Sequence, residues 1–388
     1  MRANVQDNKL EICNSALYLS KPIIKQIWMI LKRITKEMRL KWCITACRRL
    51  PVILGLPFFL LSYLLVKETY PGNVNDYEFT ESDLNKHFTF STDGDGDVMV
   101  FLHMQKTGGT FFGKNLVKNL KLKTACRCLK GEGMLKCPCM SEDQKRYWLF
   151  SRYSTGWKCG LHADYTELTE CLNSGKLNEL EEETRQRRYY YVSVLRDPAK
   201  RFISEWQHVS RGASWMASTL RCNGRSPSIK ELPFCFSGDS WRNVTLEEFL
   251  NCPHNLARNR QTRMLANLSV IDCYSADMMD DPQKRLLLLN SAKDNLRSMP
   301  YFSIISYLNE SQYLFERTFN LEFRLPMYAQ KNRHNRFSGN VLYNLSPEMR
   351  RKILEVNDLD VQLYDFAERL FLQRYQYTVR NDLRNIPF

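Results

Sequence analysis

Residues 98–110 read Val98-Met-Val-Phe-Leu-His103-Met-Gln-Lys106-Thr-Gly-Gly-Thr110. This segment gives the strongest indication of the fold. Its first half is a short apolar run typical of a buried strand, and residues 111–120 have the pattern of a helix. Gly108 and Gly109 permit a tight turn whose N–H groups face an anion at the N terminus of that helix. The segment therefore predicts a phosphate-binding loop, with an ordinary strand–turn–helix corner as the alternative.

The position of Lys106 limits which ligand this loop can take. In nucleoside-triphosphate hydrolases the lysine follows the last glycine, as in G-x-x-x-x-G-K-[ST]. Here Lys106 precedes the glycine pair, and no such motif follows it. We therefore expect a nucleotide other than a magnesium-bound triphosphate, which disfavours a nucleoside kinase.

A second strand–helix pair lies further along the chain. Residues 189–195 are rich in aromatic and β-branched residues and end at Arg196, and residues 199–209 have a helical pattern. Successive strand–helix units predict an α/β fold with a central parallel sheet flanked by helices. Ligands bind at the carboxyl ends of such strands, so Arg196 and Ser204 are candidates for a second phosphate site. A structural salt bridge is the alternative for Arg196.

The first 97 residues divide into three parts ahead of the domain at 98–388. Residues 1–49 hold eleven Lys and Arg against three acidic residues, in a chain whose net charge is +14. Residues 50–66 are uncharged and apolar, near the shortest length of a membrane helix, and the positive charge before them places the tail in the cytosol. No small-residue cleavage site follows, so we expect a retained signal anchor; a buried core helix is the alternative. Residues 67–97 are polar and turn-rich and are expected to form a lumenal stem.

Ten of the thirteen cysteines follow the apolar segment. An even number fits disulfides in an oxidising compartment. The pairs at 126/128 and 137/139 suggest a metal site as an alternative, but zinc sites more usually space their cysteines C-x₂₋₄-C, which favours disulfides. Four glycosylation sequons agree with a lumenal domain, and they begin at Asn243, Asn267, Asn309 and Asn344.

The remaining sequence adds helices and loops to this outline. Residues 283–295 and 347–375 are amphipathic helical stretches. Residues 126–146 and 211–245 are rich in cysteines and turn residues, and we expect these insertions to bind substrate.

Seven segments between Val98 and Tyr375 together resemble one enzyme family. They are 101–110, Trp148-Leu-Phe-Ser-Arg-Tyr-Ser-Thr-Gly-Trp157, Cys159-Gly-Leu-His162-Ala-Asp, Leu195-Arg-Asp-Pro, Ser204-Glu-Trp-Gln-His208-Val, Asn259-Arg-Gln-Thr-Arg-Met-Leu-Ala and Gln312-Tyr-Leu-Phe-Glu-Arg-Thr-Phe-Asn-Leu. In residue types and order they resemble the heparan sulfate 6-O-sulfotransferases. The tail and the apolar segment are outside the resemblance.

The resemblance implies a P-loop-like sulfotransferase fold and the sulfonate donor 3′-phosphoadenosine 5′-phosphosulfate, with no metal. The Lys106 loop would hold the 5′-phosphosulfate, and Arg196 with Ser204 the 3′-phosphate. Residues 326–336 differ from the family pattern, and the difference is interpreted as an insertion. The donor-binding residues implied are His103, Met104, Gln105, Lys106, Thr107, Gly108, Gly109, Thr110, Phe111, Arg196, Ser204, Gln330, Asn335 and Arg336.

The resemblance also implies an acceptor, the 6-hydroxyl of glucosamine in heparan sulfate, which attacks the sulfur in line. A hydroxyl needs a base to take its proton, and histidine has a suitable pKa. The family's base corresponds to His162; by residue type alone, His103 and His208 compete with it. Lys106 would stabilise the charge on the departing group. The acceptor-binding residues implied are Lys136, Arg152, Trp157, His162, His208 and Trp215.

Two neighbouring functions remain open at this point. One is a sulfotransferase with another glycosaminoglycan acceptor, such as a uronyl 2-O or chondroitin site. The other is a catalytically silent heparan-binding homologue, which the presence of Lys106 and His162 disfavours. The resemblance further implies a single-pass type II protein of the Golgi membrane, with heparan sulfate and not nucleic acid as its partner.

Overall fold

The computed structural model describes residues 77–93, 96–129, 135–183, 186–275, 277–330 and 337–384. The predicted tail and anchor lie outside the described residues, as do Asn335 and Arg336. No helix in these described ranges has the length and apolar character needed to cross a membrane.

A parallel four-stranded sheet forms the centre of the domain. Its strands are β1 Asp97–Leu102, β2 Leu149–Phe150, β3 Arg188–Leu195 and β4 Tyr301–Ile304, in the order β2-β1-β3-β4. Every residue of β1 is buried, which explains why its sequence is a continuous apolar run rather than an alternating one. The predicted α/β fold with a parallel sheet is confirmed.

Helices connect and cover these strands. They are α1 Glu81–Leu84, α2 Gly109–Lys118, α3 Tyr165–Asn173, α4 Lys176–Glu181, α5 Pro198–Val209, α6 Leu246–Asn251, α7 Arg260–Leu265, α8 Pro282–Ser298, α9 Leu308–Phe319, α10 Phe337–Asn344, α11 Pro347–Glu355 and α12 Asp358–Arg384. Two 3₁₀ helices, Leu268–Ile271 and Met327–Gln330, complete the described elements. The helices predicted after β1 and β3 and at 283–295 are confirmed, with ends that differ by at most three residues.

The stretch predicted as helical from 347 to 375 is two helices, and the second runs on to Arg384. The break follows from the buried side chain of Asn357. Its amide nitrogen donates to the Ile353 carbonyl at 2.8 Å, and its amide oxygen accepts from the Asn259 backbone N–H at 3.2 Å. The second bond ties the junction to Asn259, the residue before α7.

Aromatic side chains pack helices against both faces of the sheet. Tyr301 and Phe302 are adjacent in β4 and so point to opposite faces. The Tyr301 ring lies 5.9 Å from Phe112 of α2 and 5.2 Å from Phe315 of α9, measured between centroids. The Phe302 ring lies 6.1 Å from Phe371 of α12. The sheet is therefore the middle of three layers.

Part of the segment predicted as a stem packs on this domain. The ring of Phe79 lies 5.4 Å from that of Phe366, and Phe90 is buried. The buried guanidinium of Arg374 donates from Nε to the Asp83 carbonyl at 2.8 Å. The contacts of Phe79 and Asp83 hold this segment against α12, and Phe90 packs on Tyr190 of β3.

All ten cysteines after the apolar segment are paired in disulfides. The bonds are Cys126–Cys139, Cys128–Cys137, Cys159–Cys171, Cys222–Cys273 and Cys235–Cys252. The first two lie side by side at the base of the 126–146 insertion, so its four cysteines form disulfides rather than a metal site. The last two attach the 211–245 insertion to the domain.

Candidate active site

The loop between β1 and α2 leaves the N terminus of α2 open. Gly108 precedes the helix with φ at +104°, and no side chain caps this terminus. A Cβ on Gly109 would meet the imidazole ring of His103, 2.6 Å from its Nε2. Lys106 has a φ of +65°, and Thr107 donates from Oγ1 to the Met104 carbonyl at 3.2 Å. This geometry suits an anion at the helix N terminus.

Arg196 joins the end of β3 to this loop. Its Nη1 donates to the Lys106 carbonyl at 3.0 Å, and Gln261 fixes its backbone by accepting from N and donating to O, both at 2.9 Å. Ser204 lies partly buried two turns into α5. Burial lowers the pKa of Lys106, Glu205 opposes this change, and Arg211 and Arg196 reinforce it. Lys106, Arg196 and Arg211 therefore place several cationic groups near one another at this loop.

His162 faces the same loop from the segment before α3. Its φ is +53°, and its Nδ1 lies 2.7 Å from the backbone oxygen of His103. A carbonyl oxygen only accepts, so this contact assigns the proton of a neutral His162 to Nδ1 and leaves a lone pair on Nε2. Burial lowers the pKa of His162 to about 4; the His103 contact opposes this, and Arg260 and Arg152 add to it.

Aromatic rings enclose His162 on two sides. The ring of Trp157 lies 4.6 Å from the imidazole and that of Trp215 lies 5.2 Å away. Trp215 also contacts His208 at 5.5 Å, and the guanidinium of Arg152 lies 5.3 Å above Trp157. The predicted acceptor-binding residues other than Lys136 are thus brought together.

The two competing histidines differ from His162 in their surroundings. The side chain of His103 is buried, and burial, His162 and Arg152 hold its pKa well below the usual value. His208 is partly exposed across Trp215, and burial, Lys106 and Arg211 lower its pKa. Only His162 of these three combines an open ring nitrogen with a position between the loop and both tryptophans.

The two remaining predicted residues lie on other elements. Lys136 is exposed on the insertion closed by the paired disulfides, where its carbonyl accepts from the Leu129 N–H at 2.9 Å. Gln330 is the last residue of the second 3₁₀ helix.

A cavity of about 350 Å³ opens beside His162. Its lining includes the polar side chains of Gln105, Glu205 and Arg260. It also includes Trp215 and Phe234 of the 211–245 insertion. The insertion therefore forms a wall of this cavity. Its predicted role in binding substrate stays a prediction.

Comparisons with known proteins identify the family of this chain. The family model described as Sulfotransferase family matches residues 87–367. Heparan-sulfate 6-O-sulfotransferase 2 of Danio rerio is 49% identical over 311 residues, which are 79% of this chain and 65% of that protein. Heparan-sulfate 6-O-sulfotransferase 1 of Homo sapiens is 48% identical over 309 residues, 79% of this chain and 73% of that protein. The chain belongs to the heparan-sulfate 6-O-sulfotransferase family. The chain thus spans slightly less than two thirds of the first relative and about three quarters of the second.

Membership of the sulfotransferase family implies 3′-phosphoadenosine 5′-phosphosulfate as the sulfonate donor. The open helix terminus, Lys106 and Arg196 fit its two anionic ends, because they place amide groups and cations along one edge of the sheet.

One buried charge cluster of this family member was not predicted from the sequence. Glu205 of α5 accepts from Arg260 Nε at 2.9 Å, also pairs with Arg201, and accepts from the indole N–H of Trp215 at 3.1 Å. Burial lowers the pKa of Arg260 to about 10, although Glu205 opposes the change. The signals available were the four-residue spacing of Arg201 and Glu205 and the basic segment 259–266.

The four sequons differ in accessibility. Asn243, Asn309 and Asn344 are exposed, whereas Asn267 is partly buried and accepts from the Ser269 N–H at 3.1 Å. The first three therefore present their side chains for modification.

Proposed function

We propose that the chain transfers a sulfonate group from 3′-phosphoadenosine 5′-phosphosulfate to the 6-hydroxyl of glucosamine in heparan sulfate. The observation that carries this proposal is His162, whose Nε2 lone pair lies among two tryptophans beside the Lys106 loop. The names of the relatives support the choice of acceptor.

The donor supplies an activated sulfonate when it is bound. Lys106 and the amide groups at the start of α2 bind its 5′ end, and Arg196 with Ser204 binds its 3′-phosphate. Thr107 and Gly109 fix the shape of the loop. Thr107 donates to the Met104 carbonyl, and Gly109 leaves room for the His103 ring.

His162 acts as the general base. Its Nε2 takes the proton of the 6-hydroxyl while that oxygen bonds to sulfur and the sulfur's bond to the phosphate oxygen breaks. The electron pair of the broken bond stays on the departing phosphate, where Lys106 offsets the new charge. The low pKa of His162 belongs to the free protein. Anionic groups in the loop raise it, because negative charge favours the imidazolium.

The residues around His162 bind the acceptor chain. Arg152 and His208 face its sulfate and carboxylate groups, and the rings of Trp157 and Trp215 pack on sugar faces. Lys136 extends the basic surface on the neighbouring insertion.

Product analysis tests this function. The full chain in detergent is incubated with ³⁵S-labelled donor and a defined heparan oligosaccharide, and the product is digested to disaccharides. We expect label at the 6-position of glucosamine. Label at the uronyl 2-position, or transfer to chondroitin alone, would establish a different acceptor, and binding without transfer would establish a silent homologue.

We also propose that residues 50–66 anchor the chain in the Golgi membrane with the domain in the lumen. Ten paired cysteines and three exposed sequon asparagines support this placement, because disulfides and N-glycans belong to that side. Full-length protein expressed in eukaryotic cells should sediment with membranes and lose mass on endoglycosidase treatment. Recovery of a soluble, unglycosylated full-length chain would contradict the placement.

A further inference from the structure

Glu205 is the most enclosed carboxylate in the floor of the candidate site. It is 1% exposed and lines the same cavity as His162. Burial by itself would raise its pKa, but Arg260 and Arg201 lower it below the usual value. Glu205 is therefore an anion beneath the reacting centre, where it pairs with Arg260 and shares Arg201 with Asp360.

The third contact of Glu205 extends to the acceptor side. The indole N–H of Trp215 is the ring's one hydrogen-bonding group, and it donates to Glu205 Oε1 at 3.1 Å. Trp215 lies in the 211–245 insertion, outside the helices and strands. Its ring orientation therefore depends on side-chain contacts rather than on a regular backbone ladder.

Glu205 also acts on the charges above it. Its negative charge favours the protonated forms of Lys106, His162 and His208. The groups that act on His162 come from four elements: the His103 carbonyl after β1, Arg152 after β2, Glu205 on α5 and Arg260 on α7. Of these four groups, Glu205 is the one that carries a negative charge.

We propose that Glu205 is a positioning residue for the acceptor side of the site. It holds the Trp215 ring against His162 through one hydrogen bond, and it offsets the charge of Arg260 beneath the base. This role rests on the proposed function, since it gives Trp215 and His162 their tasks.

Two substitutions separate the hydrogen bond from the charge. Trp215→Phe removes the indole N–H and leaves the ion pairs of Glu205 in place. Glu205→Gln removes the charge and keeps an oxygen that can accept from Trp215. Trp206→Phe is the matched control, because Trp206 is the neighbour of Glu205 on α5 and its indole donates to the Val244 carbonyl at 3.0 Å, away from His162.

Steady-state kinetics measures the first effect. Trp215→Phe should raise the acceptor KM roughly tenfold, in line with the loss of a hydrogen bond to a charged group, and leave binding of 3′-phosphoadenosine 5′-phosphate unchanged. Trp206→Phe should leave both values unchanged while lowering the melting temperature. An acceptor KM for Trp215→Phe within twofold of wild type would overturn the positioning role.

Titration of His162 measures the second effect and needs no turnover. The chain has six histidines, so the ring signal of His162 can be assigned by its loss in His162→Gln, using NMR of labelled full-length protein in detergent. Glu205→Gln should move the His162 titration to lower pH, while Trp215→Phe should not. An unchanged titration in Glu205→Gln would overturn the electrostatic role; if that variant fails to fold, the KM of Trp215→Phe decides. A wild type that transfers no sulfonate would refute the proposed function and leave the titration result standing.

Discussion

At the scale of single residues, the proposed chemistry depends on how His162 is held. A non-glycine residue at a φ of +53° is strained by about 1–3 kcal/mol, so surrounding contacts must impose that conformation. Two features of the structure impose it. One is the contact of Nδ1 with the His103 carbonyl, and the other is Asp164, which caps the N terminus of α3 two residues later. The contact with the His103 carbonyl also sets the tautomer of His162. The same contact therefore positions Nε2 and leaves it as the basic nitrogen.

Replacing the base tests this assignment. His162→Ala should lower kcat about 10²–10⁴-fold, because the acceptor hydroxyl loses its proton acceptor, while binding of donor product stays near normal. It should also abolish the acidic limb of the pH–rate profile. His208→Ala should instead raise the acceptor KM; loss of chemistry in that variant with binding intact would show that the wrong histidine had been chosen.

Substitutions of Lys106 and Arg196, the two cations of the proposed donor site, should impair different steps. Lys106→Ala should lower kcat by about 10²–10³-fold, since the departing charge is no longer offset. Arg196→Ala should mainly weaken binding of 3′-phosphoadenosine 5′-phosphate, measured by calorimetry. Equal affinity of the Arg196 variant and wild type for that nucleotide would contradict the assignment of its 3′-phosphate to Arg196.

At the scale of elements, local patterns were predictable and contacts distant in sequence were not. β1, the glycine turn and α2 follow from adjacent residues, and each was predicted to within two residues. The break at Asn357 depends on Asn259, about a hundred residues earlier, and Glu205 meets Arg260 across fifty-five residues. The two partners of each contact are too far apart in the chain to form a local sequence pattern. The helix junction and the buried charge cluster therefore could not be predicted from the sequence.

The strand–loop–helix unit has its own test at Gly109. A methyl group there would overlap the His103 ring, so Gly109→Ala should displace the loop and weaken nucleotide binding severely. Lys114→Ala is the matched control, because Lys114 is an exposed residue of the same helix. Calorimetry should show weakened nucleotide binding for Gly109→Ala and not for Lys114→Ala. Equal nucleotide affinities in the two variants would contradict the need for a glycine beside the His103 ring.

At the scale of the whole molecule, the 211–245 insertion is attached to the domain by covalent and by titratable contacts. The disulfides Cys222–Cys273 and Cys235–Cys252 attach its central part. Ahead of the first of these cysteines, Thr219 donates from Oγ1 to Glu167 of α3. Burial raises the pKa of Glu167 to about 7, the bond from Thr219 opposes this, and Asp164 reinforces it. The docking of the insertion is therefore coupled to pH near neutrality.

This coupling predicts a pH dependence with a definite sign. The folded pKa of Glu167 lies above the ordinary value of about 4.5, so the protonated carboxyl contributes stability below pH 4.5 that is lost as pH rises through 7. Glu167→Gln mimics the protonated form at every pH. Its free energy of unfolding relative to wild type should therefore increase between pH 5 and pH 8, measured by urea denaturation. A difference that stays constant, or that decreases, would contradict the raised pKa.

In the proposed function, His162 and the Lys106 loop direct sulfonate to one oxygen of the acceptor. This specificity can be measured with two heparan oligosaccharides that differ only at the target glucosamine, one with its 6-hydroxyl and one with hydrogen in its place. Single-turnover transfer of ³⁵S from the labelled donor should occur with the first and be absent with the second, while both compete equally for binding. Equal transfer to the 6-deoxy compound would contradict the account.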